Sequence, residues 1–571
     1  MKSSDISPTL DTLNSKRRAM RVALGKEPAD LLLRNGRVLN VFTGRWELKD
    51  VAIKDGLVAA LGNNIAARKS FDAQEALLVP GFIDAHIHLE STHLWLPEIS
   101  RLMLTHGVTT VITDPHEMAN VAGIEGVREM LKASRHVNLD IFFKVPSCVP
   151  ASEFEESGAR LDVNEIKELL AKPEVIGLAE VMNFPGVLTE NVRIWEKLGL
   201  STNIDGHFPG GKGQHLQAYV AAGIDNDHET SDVTEALEKI KTGMWLFIRE
   251  GSAARNLDTL LDAVDNYTFR RACFCTDDLS PQELLEHGSM DYIVRQAVTG
   301  GLALEQALIM ASWNAAQAHG LHRLGAIAPG YFADIALLTP ESLTVKNVFK
   351  KGKLISPTSE HSQPVPDFFK NSVKLPQLDI SDFQIPYKKQ LRAIGIMDGE
   401  ILTTEEYANP VCRNGFAESK PQEDLLKAAV IERHGKSGNI GLGFVKGLGI
   451  KNGAMASTLA HDAHNLIVVG TTDSDMLFAT LKLAEIGGGQ ILVSDGKIIS
   501  SLPLPIVGLM SEANAEEVAK KARTLKLKTQ EIGSKLKDPY ATLSFLALSV
   551  IPKLRLTTHG LLDVDLWKII N

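Results

Sequence analysis

The distribution of apolar and polar positions predicts stretches of different structure along the chain. Residues 1–28 are mostly polar and predict an N-terminal helical arm. Over residues 29–79 short apolar runs are broken by turns: ADLLLRNGRVLN and DVAIKDGLVAALG each read as strand, turn and strand, with Asn35-Gly36 and Asp55-Gly56 as hairpin-type turns. From LLVPGFIDAHIHLE, residues 77–90, to about residue 320, strand segments alternate with helical ones. The strand segments include VTTVIT, IFFKVPS, VIGLAEV, LSTNIDGH, AGIDNDH, MWLFIRE and RACFCTDD; the helical ones include GIEGVREMLKASRH, VNEIKELLAK and NLDTLLDAVDN. This alternation predicts an α/β fold, a (β/α)8 TIM-like barrel over residues 80–324, with a doubly wound open sheet as the rival architecture.

Residues 325–356 return to strand character and are expected to join the strands of 29–79. Residues 357–375 are rich in Pro, Ser and polar residues and read as a linker. Residues 376–571 predict a C-terminal α/β domain. Its glycine-rich SGNIGLGFVKGLG matches neither phosphate-loop pattern, so it reads as tight turns and close packing.

Composition narrows the class. The chain has 571 residues, 44% hydrophobic and 23% charged, with a formal net charge of −10, as expected of a globular protein of several domains. An anionic chain argues against binding nucleic acid, which needs clustered Lys and Arg. It does not argue against a free nucleobase, which carries no phosphate. The N-terminus holds Arg17, Arg18 and Arg21 without a following apolar run, and no stretch approaches the roughly 20 apolar residues of a membrane span, so a cytoplasmic protein with no membrane partner is expected. The cysteines Cys148, Cys273, Cys275 and Cys412 form no paired CxxC array; Cys273 and Cys275 share one strand face and read as small buried hydrophobes.

The candidate chemistry lies at the C-terminal ends of the strand segments. His86 and His88, two apart on a strand, point the same way, with Asp84 on that face. Glu180 follows VIGLA, His207 ends STNIDGH, His228 ends AGIDNDH, and Asp277 lies in the end of RACFCTDD. Each residue alone has an ordinary structural reading: a solvated acid, a satisfied histidine, a helix cap. Asp278 keeps the cap role, since Ser280-Pro281 looks like a helix start. Recurring at successive strand ends, they form an ordered His, His, Glu, His, His, Asp set of nitrogen and oxygen ligands.

VPGFIDAHIH resembles the opening signature of the amidohydrolase superfamily, and APGYFADIAL resembles its return to the β-sandwich beside the barrel. Glu180 in GLAEVMNFPGV, with DPHEMAN, NDHET, GNIGLGFVKGLG and MASTLAHDAHNLIVVG, resembles the adenine deaminase family. The resemblance implies hydrolysis of adenine to hypoxanthine and ammonia by a metal-activated water, in purine salvage. It implies two divalent ions: one held by His86, His88 and Asp277, a second by His207 and His228, with Glu180 bridging and Asp277 also moving protons. Manganese or iron(II) is favoured, and zinc is compatible. Another amidohydrolase, acting on an amide, a cyclic imide or an N-acetyl sugar, is the alternative. A homo-oligomer is left open.

A second polar cluster, Glu90, His93, Asp114, His116 and Glu117, follows the first two barrel strands. It reads either as a substrate or extra-metal site or as hydrogen bonding that orients the first ligands. The segment His461-Asp462-Ala463-His464-Asn465 reads either as a polar turn or as a lid contributing His461 and Asp462 over the barrel mouth. Ser457 and Glu432 are weaker candidates of the same kind.

Overall fold

The computed structural model describes residues 12–252, 254–356 and 364–570. At its centre are eight short strands: β1 (Phe82–His88), β2 (Val108–Thr113), β3 (Asp140–Val145), β4 (Val175–Val181), β5 (Ile204–Gly206), β6 (Asn226–Asp227), β7 (Trp245–Arg249) and β8 (Ala272–Cys275). β1 to β5 pair in sequence as one parallel sheet, and β6 to β8 as another. Just past β8, Asp277 and Asp278 pair in parallel with Ile87 and His88 of β1. Between β5 and β6, the Asp225 N–H donates to the Ile204 carbonyl at 3.2 Å, and Asn226 Nδ2 donates to Asp205 Oδ1 at 2.5 Å. The result is a TIM-like α/β domain. Its strands are buried on both faces, with helices including His116–Ser134, Val163–Leu170 and Val233–Lys241 packed outside them. Cys273 and Cys275 are fully buried among Ile83, Phe142 and Phe247, as small hydrophobes.

The flanking strands form two further sheets. Leu57–Gly62, Asp50–Lys54, Ala29–Arg34 and Ala67–Asp72 make one; Leu77–Pro80 joins Ile335–Leu338, Val345–Lys350 and Arg37–Asn40 in the other. Leu33, Val51, Leu78, Ile335 and Phe349 fill the space between them. Asp55-Gly56 is a two-residue hairpin loop with both residues at positive φ, 48° and 77°, as its turn type requires. Asn35-Gly36 is not a hairpin turn. The strands on its two sides belong to different sheets, so the chain crosses between layers there, and a side chain on Gly36 would collide with Leu78. Helix Thr12–Ala23 lays Ala19 and Val22 against Leu32, Ala52 and Ala59; the arm before residue 12 lies outside the described residues.

The linker expected over 357–375 is corrected in its described part. Val365 and Phe369 are buried in the main core, and the Val507 N–H donates to the Phe369 carbonyl at 2.8 Å. Beyond it an eight-stranded sheet runs from Thr403–Ala408 to Lys497–Pro503, antiparallel except where Leu391–Ile396 meets Ile440–Lys446. Helix Asp473–Glu485 packs on this sheet. The glycine-rich segment becomes strand Ile440–Lys446, and Gly441 lets the Thr557 carbonyl approach where any side chain would obstruct it.

This sheet unit is seated against the TIM-like domain. Ser511 N–H donates to the His93 carbonyl and Trp95 N–H to the Ser511 carbonyl, both at 2.9 Å. Ala515 N–H donates to Glu98 at 2.8 Å, and the Ser152 and Ser549 hydroxyls meet at 2.6 Å. Trp95 and Leu96 share one apolar cluster with Met510, Leu536 and Tyr540.

Candidate metal centre

Strand period two sends Asp84, His86 and His88 of β1 to one face. Asp84, fully buried, accepts the Thr276 N–H at 3.1 Å and the Thr276 hydroxyl at 2.5 Å, which fastens β1 to the end of β8. His88 Nδ1 lies 3.0 Å from the Asp114 carbonyl. Donating there, the ring turns a bare Nε2 inward, the tautomer a metal-binding imidazole needs.

Six residues then converge. His86 Nε2 and His88 Nε2 are 3.2 Å apart, and Asp277 Oδ1 lies 3.5 Å from the first and 3.1 Å from the second. Glu180 turns Oε1 toward His88 at 3.4 Å, and Oε2 toward His207 Nδ1 at 2.6 Å and His228 Nε2 at 3.3 Å. Two inward-facing imidazole nitrogens and a carboxylate oxygen at such spacing repel or waste their lone pairs unless a proton or cation lies among them. The donors are nitrogen and oxygen only, buried and held by strand ends, which suits a divalent ion of the zinc, iron or manganese kind. Burial pushes the Glu180 carboxyl up, but His207 and His228 outweigh it and hold it well below its ordinary value.

The loops after β5 and β6 are placed by Asp227. Its carboxylate accepts the Phe208 N–H at 2.6 Å, the Glu229 N–H at 2.9 Å and Lys239 Nζ at 2.7 Å, fixing the backbone on either side of His207 and His228.

Two further residues reach the centre: Glu229, within NDHET but not singled out there, and Arg249, which carries no motif. Glu229 Oε1 lies 3.5 Å from His228 Nε2 and 3.8 Å from His207 Nδ1. Arg249, at the end of β7, donates to Asp277 Oδ2 at 2.9 Å and also to Glu229. Asp278 is not a helix cap. The helix starts at Pro281 with Ser280 as its cap, so Asp278 stays in register with His88 and faces the cavity, where burial and Asp277 push its carboxyl up to about 6.

The second cluster divides. Asp114 Oδ2 and Glu180 Oε1 lie 3.3 and 3.5 Å from His116 Nδ1, which places Asp114 and His116 against the centre. Glu90 is buried and accepts the Met118 N–H at 2.9 Å, bracing the helix that begins at His116. His93 lines a cavity of about 610 Å³ with Ser91, Lys526 and Tyr540. A smaller cavity of about 100 Å³ holds the centre itself: His88, Glu180, His207, His228 and Asp277 face it. The sheet unit closes it with His461, Asp462, Phe545, Leu548 and Ile551. Glu117, Asp278, His461 and Phe545 line both spaces. Glu432 and Ser457 face elsewhere. Glu432 accepts the Lys436 and Gly438 N–H groups at 2.9 and 3.1 Å, and the Ser457 hydroxyl serves a local turn to Leu459 at 3.1 Å.

Comparison with known proteins adds an independent observation. Residues 77–355 match the amidohydrolase family and residues 400–568 the adenine deaminase C-terminal domain. Adenine deaminase 2 of Carboxydothermus hydrogenoformans is 42% identical over 560 residues, covering 96% of this chain and 98% of its own. Adenine deaminase of Dehalococcoides mccartyi is 42% identical over 559 residues with the same coverage. Among solved structures, a beta-aspartyl dipeptidase from Fervidobacterium islandicum AW-1 matches at 18% identity with a TM-score of 0.44, over 60% of this chain and 99% of that one. Near-complete coverage at this identity, with both family regions in order, means that this chain belongs to the adenine deaminase family of amidohydrolases.

Proposed function

We propose that the protein hydrolyses adenine to hypoxanthine and ammonia in purine salvage, as a cytoplasmic enzyme. The observation that carries this reading is the 100 Å³ cavity, where a His/Glu/Asp ligand set faces an apolar wall built by Met182, Phe545, Leu548 and Ile551. A flat heteroaromatic base with one reactive edge suits such a space.

The architecture that goes with this reading is a closed (β/α)8 barrel over residues 80–324. A β-sandwich spans 29–79 and 325–356, an N-terminal arm 1–28, and the adenine-deaminase-type domain 376–571. Two divalent ions, manganese or iron(II), would be held by His86, His88 and Asp277 and by His207 and His228, with Glu180 available to both. Such ions would supply a water whose pKa is lowered from 15.7 toward about 7, and so a nucleophile at neutral pH.

The chain's own groups do the rest. Asp277 is within reach of both His86 and His88, and its second oxygen is pinned by Arg249. It takes the proton of the attacking water and delivers it to the purine ring nitrogen or the departing amine. Water adds at C6, the C6–N bond breaks, and ammonia leaves. The His461 to Asp462 segment and Phe545 close the space against bulk water.

The test is turnover of adenine by the purified, manganese-supplemented protein, followed by ultraviolet absorbance and ammonia release. Activity is expected, with about two ions per chain by elemental analysis, and it is expected to vanish on chelation. Asp277→Asn is expected to reduce kcat on the order of 10³-fold. Tight metal binding without adenine turnover would refute the substrate.

A further inference from the structure

His461 stands where the two cavities meet. Its ring is 14% exposed and stacks on Phe545, with centroids 4.9 Å apart and 16° between planes. Nδ1 lies 3.2 Å from Glu117 Oε1, which leaves the Nε2 edge of the ring for the cavity.

Glu117 is itself buried, and its second oxygen faces His464 Nε2 at 3.9 Å; neither atom has a hydrogen-bond partner. Glu117, His461 and His464 are close enough together to suggest a further metal site. The tautomer of His464 argues against that. Ala460 N–H donates to His464 Nδ1 at 3.2 Å, so in the neutral ring the proton is on Nε2, directed at Glu117. The carboxylate is within hydrogen-bond reach of His461 alone; its other oxygen faces the His464 N–H at 3.9 Å, too far for a bond. Burying a carboxylate is costly, and a mere link between the helix His116–Ser134 and the sheet unit needs no ionisable group. The Glu117 contact does fix the plane and tautomer of the His461 ring, which opens on the substrate space.

We propose that His461 is a substrate-binding residue supplied by the C-terminal unit. Glu117 is its positioning residue, and the Nε2 edge hydrogen-bonds the purine ring. The inference rests on the adenine deaminase reading and deepens it, since the TIM-like domain alone then lacks part of its recognition surface.

The experiment is steady-state kinetics with adenine on the manganese-loaded full chain and on His461→Leu, His461→Asn, Glu117→Gln and the Glu117→Gln/His461→Leu double variant. Metal content and thermal melting are measured alongside. Loss of one hydrogen bond should raise KM about 10-fold in His461→Leu, with kcat within about threefold of wild type and metal content unchanged. His461→Asn, which keeps a polar edge, should lie between. Glu117→Gln should raise KM, and the double variant should be no worse than His461→Leu, because Glu117 acts through His461. Unchanged KM in His461→Leu, or additive effects in the double variant, overturns the inference while wild-type turnover leaves the deaminase reading intact. Absence of wild-type turnover overturns both.

Discussion

At the scale of single residues, the centre depends on Arg249 more than its lack of motif suggests. Its guanidinium holds both Asp277 and Glu229, two buried carboxylates that would otherwise face each other across the histidines. Burial favours loss of its charge, but Glu229 and Asp277 outweigh burial, so it stays a cation. Arg249→Met should reduce kcat about 10–100-fold, the usual cost of losing a group that orients a ligand. Arg249→Lys should recover little, because a single ammonium loses the second bond that Nη2 makes to Glu229 at 3.3 Å and with it the fixed plane of the guanidinium. Steady-state kinetics on the two variants decides this; near-wild-type kcat in Arg249→Met would exclude the orienting role. His86, His88, Glu180, His207, His228 and Asp277 were legible in the sequence because strand period and strand ends are local signals. Arg249 was not, and Glu229 stood inside NDHET without a signal of its own. Only the register of β7 against β8, which sets Arg249 beside Cys275, brings the guanidinium to Asp277.

At the scale of elements, the sandwich is fastened to the TIM-like domain by one buried cation. Lys350, at the end of strand Val345–Lys350, donates to Asp334 at 2.7 Å, to Asp140 of β3 at 2.8 Å and to the Thr109 carbonyl of β2 at 2.9 Å. Lys350→Met removes the buried cation from Asp334 and leaves Asp140 only Lys351, and should destabilise the fold by about 3 kcal/mol, read as a lower melting temperature. Burial pushes the Asp140 carboxyl up, but Lys350 and Lys351 outweigh it and hold it below 3.8. The stability this acid contributes is therefore fully present above that pH and is lost as pH falls below it. The gap between wild type and Lys350→Met should be full at neutral pH and shrink below about pH 4; a pH-independent gap would contradict the ion-pair account. Element existence was largely readable, but extent was not. LSTNIDGH and AGIDNDH hold strands of only three and two residues, because Asp227 and Lys239 fix those turns by side-chain bonds that periodicity does not register. Asn35-Gly36 looked like a hairpin because turn chemistry is local, whereas sheet membership is set by distant partners. Residues 357–375 read as a linker because they are rich in Pro, Ser and polar residues, yet in the described part Val365 and Phe369 are anchored in the core.

At the scale of the molecule, the changes in apolar and polar patterning along the chain point to separate units, but the packing unites them. The main apolar cluster runs without a break from Leu94 and Trp95 of the TIM-like domain to Met510, Leu536 and Tyr540 of the sheet unit. The backbone exchange between His93, Ser511 and Trp95 lies beside that seam. The candidate metal centre lies under the same seam, with His88, Glu180 and Asp277 on one side and His461, Asp462 and Phe545 on the other. Two units sharing a core at this level cannot unfold independently without exposing it, so calorimetry should show one cooperative transition. A ligand bound only by the folded state stabilises it by about 2.7 kcal/mol at 100-fold excess over Kd, which for a chain of this size shifts melting by about 3 °C. Chelation should therefore lower the single transition as a whole by roughly that amount, and manganese should restore it. If the sheet unit were an independent cover, the same scan would show two transitions, and chelation would move one of them. That pattern would mean the apolar seam is weaker than its burial implies, and that the C-terminal unit can lift from the metal centre while both parts stay folded.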